Sequence, residues 1–289
     1  MKSGPNGIDS HHSSAGGNPR NSGNVTSHLE ARLIPNPILR VLSSIKAHRV
    51  HALLMGGQAC VFYGAAEFSR DTDLALLSSS ENLARLSRAL KELQAEVIAV
   101  PPFELKYLRK GHGIHFRCHD PEAAGMRVAV MTKMRGVDSF AKLWERRTTM
   151  AISKGTTYDL MSLPDLVRAK KTQRDKDWPM LRRLVEVNYF ANRENPSIQQ
   201  VRFWFLELRT PELLIELAGK QGRIPTQLLR KRPLLKLTRP GNELSLAEAL
   251  LKEERLEREA DRQYWLPLRA ELERLRHQRI PQIPGARVP

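Results

Sequence analysis

The sequence predicts an α/β fold, with a mixed sheet flanked by helices, followed by a helical basic C-terminal region. Three observations predict it. Short apolar runs of strand character alternate with leucines at helical spacing from about residue 36 to residue 131. An apolar strand over Val50–Met55 breaks at Gly56-Gly57, and the chain re-enters a strand at Asp71-Thr72-Asp73-Leu74. From Leu163 onward the period becomes helical and stays so. With 289 residues, 41% of them hydrophobic, the chain can build a sizeable core.

Taken in order, residues 1–28 are a tail of another kind. Gly, Ser and Asn fill fifteen of its positions and almost nothing in it can be buried, so disorder is expected there, His11-His12 included. A domain is expected over 29–195. Asn36 before Pro37 reads as a helix start, with Ile38, Leu39, Val41, Leu42 and Ile45 forming the apolar stripe. A short helix from Gln58 to about Ala65 follows the Gly-Gly break. Ser80 reads as the cap of a helix running to Gln94, with Leu83, Leu86, Leu90 and Leu93 on one face. Strands are expected over Glu96–Val100, Ile114–Cys118 and Met126–Met131, the last two joined by the turn His119-Asp120-Pro121-Glu122. Asp138 reads as the cap of a helix holding Phe140, Leu143 and Trp144. Pro164 starts a long helix predicted to continue towards Phe190.

A helical basic region is expected over 196–280 and a frayed Pro-rich tail over 281–289. Within the former, residues 220–239 hold seven Lys or Arg and no acid. Clustered cations without counter-acids suit a phosphate backbone, and Arg230, Lys231 and Arg232 are the candidate nucleic-acid contacts, against the plainer reading of a basic loop. Residues 244–278 alternate Glu and Arg along a leucine-bearing helix, which suits either a solvated surface helix or one that meets a protein partner.

The stretch from Met55 to Leu74 carries the chemistry. Gly56 and Gly57 let another group approach the backbone closely. Strand side chains alternate, so Asp71 and Asp73 share one face and can hold a divalent cation together. Backbone amides and a helix N-terminus beside paired carboxylates make a site for a metal-bound triphosphate. The stretch resembles the signature of the polymerase-β-like nucleotidyltransferases, including their minimal and abortive-infection-type members. That signature is an apolar residue, Gly-Gly or Gly-Ser, nine to thirteen residues, then Asp-x-Asp/Glu and an apolar residue. Here thirteen residues separate Gly57 from Asp71. The plainer reading is a strand–helix–strand unit whose acids end a strand at the surface.

The resemblance implies Mg²⁺- or Mn²⁺-dependent transfer of a nucleoside monophosphate from an NTP to an acceptor, RNA such as tRNA or a protein side chain. It makes Asp71 and Asp73 the catalytic metal ligands, and seats the nucleotide on Gly56, Gly57, Ser69 and Arg70. Lys170, Arg174 and Lys176 resemble the basic, acid-interleaved helix that helps to hold the phosphates in relatives; a solvated face with its cations paired to nearby acids is the plainer alternative. Relatives carry a third carboxylate on the strand corresponding to Met126–Met131. This chain has Ala129 in that slot, and Asp120, Glu122 and Asp138 lack the strand spacing to replace it. The sequence therefore leaves two functions open: a transferase, weakened by that loss, or a catalytically inactive module of the same fold that binds nucleotide, nucleic acid or a toxin–antitoxin partner.

Composition bears on partners and compartment. A net charge of +16 attracts polyanions, RNA first among them, while an aromatic content of 6% offers few stacking platforms. No apolar run reaches the length of a membrane span, so a membrane is not an expected partner. Two cysteines, Cys60 and Cys118, without a paired motif suit a reducing, cytoplasmic setting. Three of His112, His115, Cys118 and His119 lie on an alternating strand and point to mixed faces, so the four are not expected to share a tetrahedral metal site.

Overall fold

A computed structural model describes residues 36–153 and 156–279, together with Met1. The expected N-terminal and C-terminal tails lie outside the described residues. The architecture is mixed α/β, a seven-stranded mixed sheet with helices, as the sequence predicts.

Helix α1 (Asn36–Ala47) leads into β1 (Ala52–Met55), which stops where α2 (Gly56–Phe62) begins. The helix thus starts at the first glycine, not at Gln58. Strand β2 (Asp71–Leu76) and α3 (Ser80–Glu92) follow. The cap of α3 is Ser79, one residue before the expected Ser80: its hydroxyl oxygen accepts from the Asn82 amide at 3.1 Å. Strand β3 is only Glu96–Val97, and Pro101-Pro102 lie beyond it. A short helix α4 (Leu105–Lys110) that periodicity does not announce precedes β4 (Ile114–Arg117). Strand β5 is Arg127–Met131. Helix α5 (Phe140–Glu145) is preceded by Ser139, and Asp138 binds Arg146 at 2.9 Å instead of capping.

The hairpin β6 (Thr148–Ser153) and β7 (Thr156–Leu160) is an addition to the elements read from sequence. Helix α6 (Leu163–Ala169) ends early, and α7 (Asp177–Asn192) starts afresh, so residues 170–176 form a loop. The single helix expected from Pro164 to Phe190 is therefore two. Helices α8 (Ile198–Glu207), α9 (Pro211–Gln221) and α10 (Thr226–Lys231) lead to α11, a helix of 37 residues over Glu243–Arg279. Among the described residues no helix is long and apolar enough to cross a membrane.

The strand order is β3-β4-β5-β2-β1-β7-β6. Strand β2 runs antiparallel to β1 and parallel to β5, and β4 runs antiparallel to β5. Alternation then divides the central strands. Leu74, Leu76, Val128, Val130, Ile114 and Phe116 are all at most 2% exposed and form one buried face. Helix α1 lies on that face, with Leu42 and Ile45 beside Leu54 and Leu74. The Ser44 hydroxyl donates to Ala89 O at 3.3 Å and ties α1 to α3. The opposite face carries Asp71 and Asp73.

Residues 196–279 are not a separate core. Trp204, Phe205, Leu214, Leu246 and Leu250 belong to the same hydrophobic cluster as the sheet. Helix α11 returns across the domain and is neither wholly solvated nor free for another protein along its length. Leu246, Leu250 and Asp261 are buried, and the chain's own core is what its inner face meets. Leu244, Leu251, Leu256 and Leu266 remain outside.

Candidate functional site

One lateral row across four strands organises the site. Met55 of β1 pairs with Asp73 of β2, Asp73 with Ala129 of β5, and Ala129 with His115 of β4. Residues in register on neighbouring strands point to the same face. The next row places Asp71 beside Arg127, whose Nε lies 3.8 Å from Asp71 Oδ1. Ala129 therefore faces the carboxylate pair, in the position where an acid would sit between Asp73 and His115.

Gly56 explains how the turn and the carboxylates become one site. Its φ is +69°, a left-handed conformation, and a Cβ placed there would lie 1.8 Å from Asp73 Oδ2. Only a glycine lets the carboxylate rest on the start of α2. A Cβ at Gly57 would meet Ser69 Oγ at 2.7 Å, and that hydroxyl donates to Asp71 O at 3.2 Å. Burial pushes the Asp73 carboxyl above its ordinary range; Lys170 opposes this and Asp71 adds to it. A half-buried carboxylate beside a second one is a place that favours a cation.

Asp71 and Asp73 fit Mg²⁺ or Mn²⁺. Mg²⁺ prefers oxygen donors and is often held by one or two carboxylates plus waters and substrate phosphates. The residues present are such a pair, on one face, beside open space. Among the described residues no group of three His, Cys, Asp or Glu is placed to hold a metal by itself. The fit is to an ion shared with a bound substrate.

Two cavities that share wall residues open over this row. One, of about 430 Å³, is bordered by Gly57, Ser69, Asp71, Arg127, Arg174 and Lys176. The other, of about 320 Å³, is more apolar, with Met55, Met131, Leu166, Trp265 and Leu272 among its walls. Asp73, His115, Ala129, Lys170 and Arg174 border both. Gly56 borders the second cavity and Gly57 the first. Arg70 is exposed, with its guanidinium 5.7 Å from the Phe68 ring, and lines neither cavity.

Both readings of the basic segment meet in the structure. Lys170 Nζ donates to Asp177 Oδ1 at 3.1 Å, and Arg174 Nε donates to Asp177 Oδ2 at 2.7 Å. Thr172 donates to the same carboxylate at 2.6 Å. Asp177 is 2% exposed, and despite burial its pKa is lowered, because Lys170, Thr172 and Arg174 outweigh desolvation. Lys170 and Arg174 are thus paired and also border the cavities, while Lys176 is exposed at the edge of the larger one. Helix α11 fixes this loop from outside: the Gln173 amide donates to Asp261 Oδ2 at 2.8 Å, and Arg135 bridges Asp261 to the Lys171 carbonyl.

The remaining candidates fall elsewhere. Asp120 and Glu122 bind Arg40 and Asp138 binds Arg146, so none of them reaches the row. His112 borders the smaller cavity but is engaged by Glu271 at 2.9 Å, and His119 faces Glu96 at 3.1 Å; among the histidines of this stretch His115 alone borders both cavities. Arg230 and Lys231 are exposed. Arg232 is a correction: it is 3% exposed, holds both Glu253 oxygens and donates to Phe205 O at 2.9 Å, so its guanidinium is committed within the fold. His115 and Arg127 are cavity residues that motif reading missed. Strand alternation placed them on the right face, but their register against Asp71 and Asp73 is a property of the assembled sheet. Asp261 and Trp265 were equally hidden, since nothing local says that α11 folds back. The chain matches no protein-family model and no curated protein.

Proposed function

We propose that the chain is a polymerase-β-like nucleotidyltransferase, transferring a nucleoside monophosphate from an NTP to an acceptor. The observation that carries this reading is the Asp73 carboxylate resting on Gly56, which joins the Gly-Gly turn and the carboxylate pair into one site. Mg²⁺ or Mn²⁺ held by Asp71 and Asp73 would supply positive charge to the phosphate oxygens. Gly57 borders the same space as Lys170, Arg174 and Lys176, where the phosphates would lie. These fixed charges favour the in-line geometry and the charge that develops on the transferred group. A net charge of +16 supports RNA as the acceptor. Two buried free thiols, Cys60 and Cys118, each pushed up to about 11 by burial, support a reducing, cytoplasmic setting.

A second reading is favoured by Ala129. Without a third acid in the row, the same site serves a catalytically silent module that binds nucleotide and presents it, or its basic surface, to RNA or to a toxin–antitoxin partner. Transfer of label from each α-labelled NTP, with Mg²⁺ or Mn²⁺ and total RNA, separates the two. The transferase gives metal-dependent labelling that Asp71→Ala and Asp73→Ala each abolish. Labelling that survives both substitutions removes the carboxylate pair from the chemistry. No labelling, with a melting temperature that still rises on adding NTP and Mg²⁺, selects the silent module.

A further inference from the structure

We propose that His115 is the general base for the acceptor hydroxyl, which docks over Ala129. The inference rests on the transferase reading above and adds to it the residue that does the work expected of the missing acid.

His115 and Asp73 flank Ala129 on the same face of the sheet, one strand away on either side. Neighbouring strands lie about 4.8 Å apart, so the two Cα atoms stand roughly 10 Å from each other. A carboxylate at position 129 would fill the space between them. The alanine methyl leaves it open, and Ala129, His115 and Asp73 all border both cavities. A hydroxyl-sized group placed there lies beside the imidazole and the carboxylate.

The imidazole is also suited to the task. Burial and the neighbouring Arg127 lower its pKa, against the pull of Asp73 and Asp71, so it is neutral near pH 7 and has a nitrogen free to accept a proton. It is half-buried, and among the described residues no side-chain hydrogen bond contributes to its protonation. The other histidines of this stretch, His112 and His119, already face Glu271 and Glu96. A Cβ at position 113 would touch His115 Nε2 at 3.6 Å, and Gly113 leaves that side of the ring uncovered.

The step balances without a further reagent. The acceptor O–H bond breaks, its proton passing to the imidazole and its electron pair forming the new bond to the α-phosphorus of the NTP. The bond from that phosphorus to its bridging oxygen breaks, and pyrophosphate leaves with the electron pair. The protonated imidazole returns its proton to solvent.

The test compares wild type, His115→Ala and His115→Gln in the full chain, with and without Ala129→Asp. Measured are label transfer to RNA and the rise in melting temperature given by NTP and Mg²⁺. Loss of a general base lowers the rate by about 100-fold or more, while the NTP-induced rise stays as in wild type. Added imidazole recovers part of the rate in His115→Ala, an effect no structural role of the residue would produce. In the Ala129→Asp background the restored acid takes over, and the His115 substitutions cost at least about tenfold less than alone, the usual mark of two groups sharing one role. If wild type transfers label and His115→Ala matches it, the base assignment is overturned and the transferase stands. If His115→Ala and His115→Gln lose the rate and the NTP response together, His115 is a structural residue and the assignment is overturned. If wild type transfers no label under any condition, the transferase reading falls and the assignment with it.

Discussion

At Gly56 a single hydrogen atom in place of a side chain decides whether the site exists. An L-residue there adopts φ +69° at a cost of about 1–2 kcal/mol, and its Cβ collides with the Asp73 carboxylate. Gly56→Ala is therefore expected to lower the melting temperature by several degrees and to remove the response to NTP and Mg²⁺. Gly57→Ala collides with the Ser69 hydroxyl, which can rotate away at the loss of one hydrogen bond, and presses on Ser69 Cβ at 3.3 Å, and is expected to do much less. Equal effects at the two glycines, measured by thermal melts, would detach Gly56 from Asp73. Asp73 gives the opposite sign. Its folded pKa lies above the unfolded value, so stability falls as pH rises from the unfolded value and the loss is complete once pH passes the raised one. Asp73→Asn, a neutral stand-in, should raise the melting temperature without metal at neutral pH and lose the Mg²⁺ response. The gain should vanish in acid, where wild type is protonated too. A mutant less stable at neutral pH would mean that Asp73 is not held at a cost.

The element that matters most is the loop between α6 and α7. Its residues, Lys170 to Lys176, have helical propensity and a charge pattern that reads as continuous helix. What interrupts it is a set of local bonds to Asp177, from Lys170, Thr172 and Arg174, which compete with the helical ladder. Side chains decide the backbone here, and no periodicity records that. Strand β2, by contrast, was legible to the residue, because the acid–apolar alternation of Asp71–Leu76 reflects one open and one buried face. The hairpin β6–β7 went unread because its threonine-rich outer edge of the sheet carries little apolar signal. The loop supports a pH prediction. Asp177 has a folded pKa below its unfolded one, so its stabilisation is present above about pH 4 and is lost as pH falls through the lowered folded value. Asp177→Asn should cost about 3 kcal/mol at pH 7, as removal of a buried ionic partner does. It should also flatten the acid side of the stability profile. Unchanged melting curves from pH 7 down to pH 3 would show that the loop is held by α11 alone.

On the scale of the whole molecule, charge divides into two populations that the sequence presents as one. The run Arg230-Lys231-Arg232 looks uniform, and only burial separates its members. Arg232 turns inward to Glu253 of α11, which also binds the buried Arg209, and these pairs help to lock the C-terminal helix onto the core. Arg230 and Lys231 stay exposed. The two populations predict different measurements. If RNA lies on this surface, each lost phosphate contact lowers the slope of log affinity against log salt by about 0.7 for a single strand. Arg230→Gln with Lys231→Gln should then flatten that slope by about 1.4 and leave the melting temperature within a degree or two, as surface substitutions do. Arg232→Gln should leave the slope unchanged where the protein remains folded. It should instead cost about 3–5 kcal/mol of stability, since Glu253 is left without its closest partner in a mostly buried position. Binding titrations at four or five salt concentrations, run beside denaturant melts, separate the two effects. A slope that responds to Arg232 as strongly as to its neighbours would mean that α11 lifts from the core when RNA binds. A slope indifferent to all three would move the RNA surface to the exposed cations of the cleft, Arg174 and Lys176.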